Sequence, residues 1–204
     1  MPAHLHVITG PMFSGKSEAL ISELNRARFA RKSVAVIKPH VDTRTQGSIA
    51  SRKLEAGVPH VRDEYPATII RTHEELKNFL HAERAEVLGV DEAQFFPVEE
   101  GTHGLGWFGV EISEYVTRNA TSDIRVIVAG LDQDFRGLPF GPIAGIMAIA
   151  DRVEKLSGVC MSCGSYDARH TQRMSSSVAT VAVGDIESYE VRCRTCFGTP
   201  VQAK

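Results

Sequence analysis

The stretch LHVITGPMFSGKSEAL, residues 5–20, reads as a buried strand, a glycine-bounded turn and the start of an amphipathic helix. Gly10, Gly15, Lys16 and Ser17 fit the pattern G-x-x-x-x-G-K-[ST]. Glycines let such a loop turn so that successive backbone N–H groups converge on an anion. The helix that follows adds its positive end. In this arrangement Gly10, Pro11, Met12, Phe13, Ser14, Gly15, Lys16 and Ser17 wrap the phosphates of a nucleotide. Lys16 reaches the β and γ groups and Ser17 Oγ ligates Mg²⁺. A turn containing glycine can match by chance; the strand before it and the helix after it weigh against chance.

Outward from this turn, the first three-quarters of the chain alternates strand-like and helix-like segments. HLHVIT (4–9), SVAVIK (33–38), ATIIRT (67–72), AEVLGVDE (85–92) and IRVIVAG (124–130) are short and rich in Val and Ile. Their apolar residues run nearly continuously, as in strands buried on both faces. Between them, residues 16–31 carry Leu20, Leu24 and Ala27 at helical steps, and THEELKNFLHAE (72–83) opens with a Thr72/Glu75 capping-box signature. The alternation predicts an α/β fold, a mostly parallel sheet with helices on both faces. The glycine-rich segment 95–111 reads as a loop over the edge of the sheet. From about Leu156 the texture changes to Ser, Gly and short Val/Ala alternations, so a boundary is expected near 150–156. It would divide a nucleotide-binding domain, 1–155, from a smaller domain, 156–204.

A phosphate loop needs a carboxylate on a neighbouring strand, and the apolar run VLGV (87–90) leads into Asp91, placed to hold Mg²⁺ directly or through water. Glu92 follows. Adjacent strand residues point to opposite faces, but at the carboxyl end of a strand the chain is turning, so both can reach the site. A second carboxylate there can act as general base toward a hydroxyl or toward water. The loop alone does not say which of them accepts the phosphoryl group.

The four cysteines form two pairs, Cys160-x-x-Cys163 and Cys193-x-x-Cys196. Four thiolates in two such pairs make a closed, tetrahedral, structural Zn²⁺ site. The gap between them is longer than in a compact zinc ribbon, which makes the intervening chain a lid held at both ends. From Cys160 to Lys204 there are five Lys or Arg against four Asp or Glu, so no basic patch favours a nucleic-acid ribbon. The bulk composition agrees. The chain has 204 residues, 43% hydrophobic and 24% charged, with a net charge of −2. That is ordinary globular make-up, without the basic excess of a dedicated nucleic-acid binder. No run approaches a membrane span and no signal peptide is evident, so the expected location is the cytoplasm, where thiols stay reduced.

With these elements in view, the sequence closely resembles the zinc-containing thymidine kinases of the cellular and bacterial type. The resemblance rests on GPMFSGKSE (10–18), DTR (42–44), VDEAQFF (90–96), GLDQDFRGLPFG (130–141), CMSC (160–163) and YEVRCRTC (189–196), in the family's order over nearly the whole chain. It implies a RecA-like P-loop domain and a small zinc domain carrying a lasso loop, 164–192. It implies ATP as phosphoryl donor and the 5′-hydroxyl of thymidine, or of deoxyuridine, as acceptor. By analogy Glu92 matches the catalytic base, Asp91 and Asp42 the Mg²⁺-side carboxylates with Ser17, and Arg44 a catalytic arginine beside the transferring phosphoryl. The thymine pocket maps to Met12, Phe95, Leu131, Phe135, Thr171 and Tyr189, with backbone groups of Thr180, Val181, Ala182, Val183 and Gly184 meeting the base. Feedback inhibition by thymidine triphosphate and a homotetramer are also implied. Neither a nucleic acid nor a membrane is an expected partner. The stretch IASRKLEAG (49–57), read as a loop, departs from the family in lacking a histidine. The competing readings are an ATP-dependent binding module with a zinc ribbon, or a kinase of the same build acting on another deoxynucleoside.

Overall fold

The computed structural model describes residues 2–43, 47–55, 58–174 and 188–198. Strands β1 (His4–Thr9), β2 (Val34–Pro39), β5 (Thr68–Ile70), β6 (Val87–Val90), β7 (Arg125–Gly130) and β8 (Arg152–Lys155) form one six-stranded sheet. Its order is β5-β2-β6-β7-β1-β8, and every neighbouring pair is parallel. Helices α1 (Lys16–Phe29), α2 (His73–Ala82), α3 (Gly106–Arg118) and α4 (Ile143–Ile149) cover it. Two antiparallel hairpins stand apart, β3 (Ser48–Glu55) with β4 (Val58–Pro66), and β9 (Ala168–Arg173) with β10 (Tyr189–Cys193).

The near-continuous apolar strands are buried on both faces. Leu5, Val7, Leu88, Val90, Val126 and Val128 point to one side, where Leu76 and Leu80 of α2, Phe108 and Ile112 of α3, and Ile143 and Ile146 of α4 meet them. Ile8, Val36, Val87, Ile127 and Ala129 point to the other, against Leu20, Ile21 and Leu24 of α1 and Ile49 and Tyr65 of the β3–β4 hairpin. Fully burying each such side chain contributes about 1.5–3 kcal/mol. Gly89 lets α1 come this close, since a Cβ there would lie 2.9 Å from Leu24 Cδ2.

Helix α2 begins where the capping signature puts it. Thr72 Oγ1 accepts the Glu75 N–H at 3.1 Å, while the Glu75 carboxylate accepts from Arg71 N rather than from Thr72 N. Segment 95–111 is not a loop throughout. Ala93–Phe95 is a 3-10 turn and α3 starts at Gly106, with Phe108 stacked on Phe96 at 4.2 Å between ring centroids. Its glycines hide a helix face. A Cβ at Gly109 would stand 3.0 Å from Leu105 and 3.1 Å from Ile146, where α3 and α4 approach. Residues 49–55 of the presumed loop 49–57 belong to β3, paired with β4 from Ser48↔Pro66 to Glu55↔Val58; residues 56 and 57 lie outside the described residues.

Candidate active site

Phosphate-binding chemistry in open α/β sheets sits outside the carboxyl ends of the strands, and here β1 and β6 both deliver their candidate residues there. After Thr9 the chain turns at Gly10, φ 143°, where a Cβ would meet the Leu156 carbonyl oxygen at 2.6 Å. Gly15, at φ 85°, caps α1 with open space around its Cα. Inside the turn, Ser14 Oγ donates to Pro11 O at 2.9 Å and Lys16 Nζ donates to the same carbonyl at 2.6 Å. The ammonium is therefore folded over the loop it would share with a phosphate.

Asp91 follows β6, its N–H held by Ile37 O at 3.1 Å. Its Oδ2 accepts from Ser17 Oγ at 3.0 Å, which joins the phosphate loop to the acidic strand end across β7. Asp91 Oδ1 accepts the Glu92 N–H at 2.9 Å. Glu92 takes the left-handed conformation, φ 53° and ψ 35°, a state that costs a side-chain-bearing residue roughly 1–2 kcal/mol. The left-handed turn ends the strand's alternation of faces at Glu92, whose N–H stays on Asp91. Asp42 is buried and paired with the fully buried Lys38 at 2.9 Å; Lys38 Nζ also donates to Ser48 O at 3.2 Å. Arg44 lies outside the described residues.

The six side chains assigned to a pyrimidine slot come from distant segments. Met12 N–H donates to Thr171 Oγ1 at 3.0 Å, binding the phosphate loop to β9. Phe135 is buried under the Arg173 guanidinium, 3.8 Å from its ring centre, and Arg173 Nη2 donates to Tyr189 OH at 2.8 Å. Leu131 and Phe95 are half-buried and belong to neither face of the core; Phe95 meets Phe140 edge-on at 5.7 Å. Residues 180–184 lie outside the described residues. Loop 131–141 is tied down at its start and braced from within. Lys155 reaches Asp132 at 2.5 Å, and Asp134 Oδ1 accepts the N–H groups of Arg136 and Leu138.

Cys160, Cys163, Cys193 and Cys196 converge with their sulfurs all within 4.8 Å of one another, and none forms a disulfide. Cys163 Sγ and Cys193 Sγ are 3.7 Å apart, close to the edge of about 3.8 Å for a tetrahedron with ~2.3 Å Zn–S bonds. Cys160 and Cys163 are pulled in opposite directions. A hydrogen bond from the Cys193 backbone draws Cys160 down to about 6. The backbone of Ser165 pulls Cys163 the same way, but contacts with the other three sulfurs outweigh it and push this thiol up to about 11. A shared cation removes that conflict, so the donor set fits a closed tetrahedral metal.

Reasoning from sequence passed over Lys38, Gln94 and Arg173. Arg173 had a faint signal, lying two residues after Thr171 on the same face of a strand. Lys38 had none, since a buried lysine at a strand end looks like any solvated one.

Strand, phosphate loop, helix and an acid at the tip of a nearby parallel strand define a P-loop nucleotide-binding α/β protein, here with a four-cysteine knuckle beside the loop. The chain belongs to the thymidine kinase family, whose model matches residues 3–197. It is 36% identical over 199 residues to the thymidine kinases of two strains of Bacteroides fragilis, an alignment covering 97% of this chain and 88% of each relative. Among solved structures it is similar to the genome packaging NTPase B204 of Sulfolobus turreted icosahedral virus 2 bound to ATP-γS. There the TM-score is 0.45 and the identity 17%, over 75% of this chain and 74% of that one. At that distance the likeness adds nothing to the topology.

Proposed function

We propose that the protein transfers the γ-phosphoryl group of ATP to the 5′-hydroxyl of thymidine. Its two half-sites are the phosphate loop and the face built from loop 131–141 and the β9–β10 hairpin. The observation that carries this reading is the junction of Ser17 Oγ and Asp91 Oδ2, with Glu92 next in the chain and its N–H on Asp91 Oδ1. The loop N–H groups and Lys16 hold the phosphates, and Ser17, Asp91 and Asp42 hold Mg²⁺, which when bound neutralises charge on the β and γ oxygens. Glu92 accepts the proton of the attacking hydroxyl. Arg44 supports the transferring group, where charge spreads over the equatorial oxygens. Met12, Phe95, Leu131, Phe135, Thr171 and Tyr189 bound a slot for a flat ring, completed by the backbone of 180–184. The four thiolates hold Zn²⁺ structurally, with no open position for chemistry. A division near residue 155, a cytoplasmic location, a homotetramer and inhibition by thymidine triphosphate belong to the same proposal.

The test is ATP consumption with and without thymidine. Turnover that depends on thymidine and yields its 5′-phosphate is the expected result. Consumption that ignores thymidine and rises with DNA would replace the kinase with a nucleotide-driven binding module. A preference for deoxycytidine would keep the reaction and change the acceptor.

A further inference from the structure

Gln94 stands two residues beyond Glu92, on the 3-10 turn, and is 2% exposed. A buried primary amide must satisfy both its oxygen and its nitrogen. Its Oε1 accepts the Leu131 N–H at 2.9 Å, and its Nε2 donates to Glu92 Oε2 at 2.5 Å. The Leu131 contact decides which end is which. A backbone N–H needs an acceptor, so the oxygen faces the end of β7 and the nitrogen faces the carboxylate. Two glycines make the room. A Cβ on Gly130 would stand 2.7 Å from Gln94 Oε1, and one on Gly141 would stand 2.1 Å from the Gln94 carbonyl oxygen. Filling this space alone would need only an apolar side chain, which buries no polar atoms.

We propose that Gln94 is a positioning residue for phosphoryl transfer, a fixed bridge that aims the Glu92 carboxylate and locks it to Leu131 at the rim of the nucleoside slot. This rests on the reading of Glu92 as general base. The bridge gives the left-handed Glu92 turn a reason to hold without ligand, because the amide grips the carboxylate from a buried anchor. It also couples two parts of the site. Leu131 belongs to the loop that carries Phe135, so a shift of that loop is felt at Glu92 through one side chain.

The experiment is a double-mutant cycle between positions 92 and 94. Gln94→Met keeps length and removes both hydrogen bonds. Gln94→Glu keeps the shape and an acceptor for Leu131 N–H but sets a second carboxylate against the first. Each should lower kcat by about 10- to 100-fold, the cost of misplacing a reacting group by around 1 Å. KM for ATP should stay within about 2-fold, because the phosphate loop is untouched. In the Glu92→Gln background, itself slowed ~10²–10⁴-fold, the same changes should cost less than about 2-fold, since there is no base left to aim. Equal fold losses in both backgrounds would make Gln94 a packing residue and overturn the bridge, as would parental kcat in either single variant. Near-parental turnover in Glu92→Gln would instead remove the base, and the bridge with it. If Gln94→Met fails to fold, Gln94→Glu carries the cycle alone.

Discussion

The two ends of the candidate site are held by different physics. At the phosphate end, the loop between β1 and α1 is seated on a parallel sheet buried on both faces, and its acidic partner Asp91 hangs from the β2 backbone. At the other end, a two-stranded hairpin has a core of little more than Cys160, Ala168, Val191 and Cys193, with Phe13 of the phosphate loop and Cys196 packed against it. An isolated hairpin is marginal in water, so on the proposed reading four thiolates and a cation supply what the core does not. The phosphate end is built to be rigid. The hairpin end is built to be clipped in place, touching the loop through Phe13 and the Met12–Thr171 hydrogen bond.

The largest break in this contrast is metal removal. Structural zinc in small domains contributes on the order of 10–16 kcal/mol to folding. Chelation of the holo protein should abolish nucleoside-dependent turnover and strip amide protection from β9 and β10, while β1, β6, β7 and α1 stay protected. Hydrogen exchange reads both ends in one experiment. Retained protection in β9–β10 at zero metal would mean that the hairpin holds itself and the contrast is false.

The rigid end can be attacked in turn through Lys38. Removing one partner of a buried ion pair leaves an uncompensated charge and costs about 3–5 kcal/mol. Lys38→Met would take this cation from Asp42, which is 8% exposed, and release the contact to Ser48 O at the start of β3. The expected result is a Tm lower by roughly 6–20 °C with the metal content unchanged. A loss below about 1 kcal/mol would show that Asp42 is satisfied without its lysine, and that the turn before residue 44 is held from elsewhere.

The same contrast explains what the sequence disclosed. Residues 4–9 were legible as a strand to the residue, because burial on both faces leaves an unbroken apolar run and the phosphate loop marks its end. The cysteine pairs were legible because ligand chemistry fixes residue type and spacing together. Helix α3 was not, since Gly101, Gly104 and Gly106 signal turns and α3 opens at the last of them. Nor was the β3–β4 hairpin, which covers the sheet with little beyond Ile49 and Tyr65 and so shows no apolar period. Lys38, Gln94 and Arg173 stayed hidden for one shared reason. A buried polar residue is specified by its partners, and those lie at Asp42, at Glu92 and Leu131, and at Phe135 and Tyr189. Fold patterns repeat along the chain; pairings across it do not.

The smallest effect is the control for both ends. Thr72 caps α2 at the β5 edge of the sheet, with its Oγ1 on Glu75 N and the Glu75 carboxylate on Arg71 N. These contacts are exposed, so water replaces much of what a lost cap removes. Thr72→Ala should therefore cost only ~1 kcal/mol, a fall in Tm of a few degrees, and Thr72→Ser should restore most of it. The metal content, kcat and both KM values should not move, because Leu76 and Leu80 still hold α2 to the core whatever its first turn does. Should kcat fall along with Tm, the edge of the sheet is mechanically joined to Asp91 through β5 and β2. The phosphate end would then be only as rigid as its outermost helix.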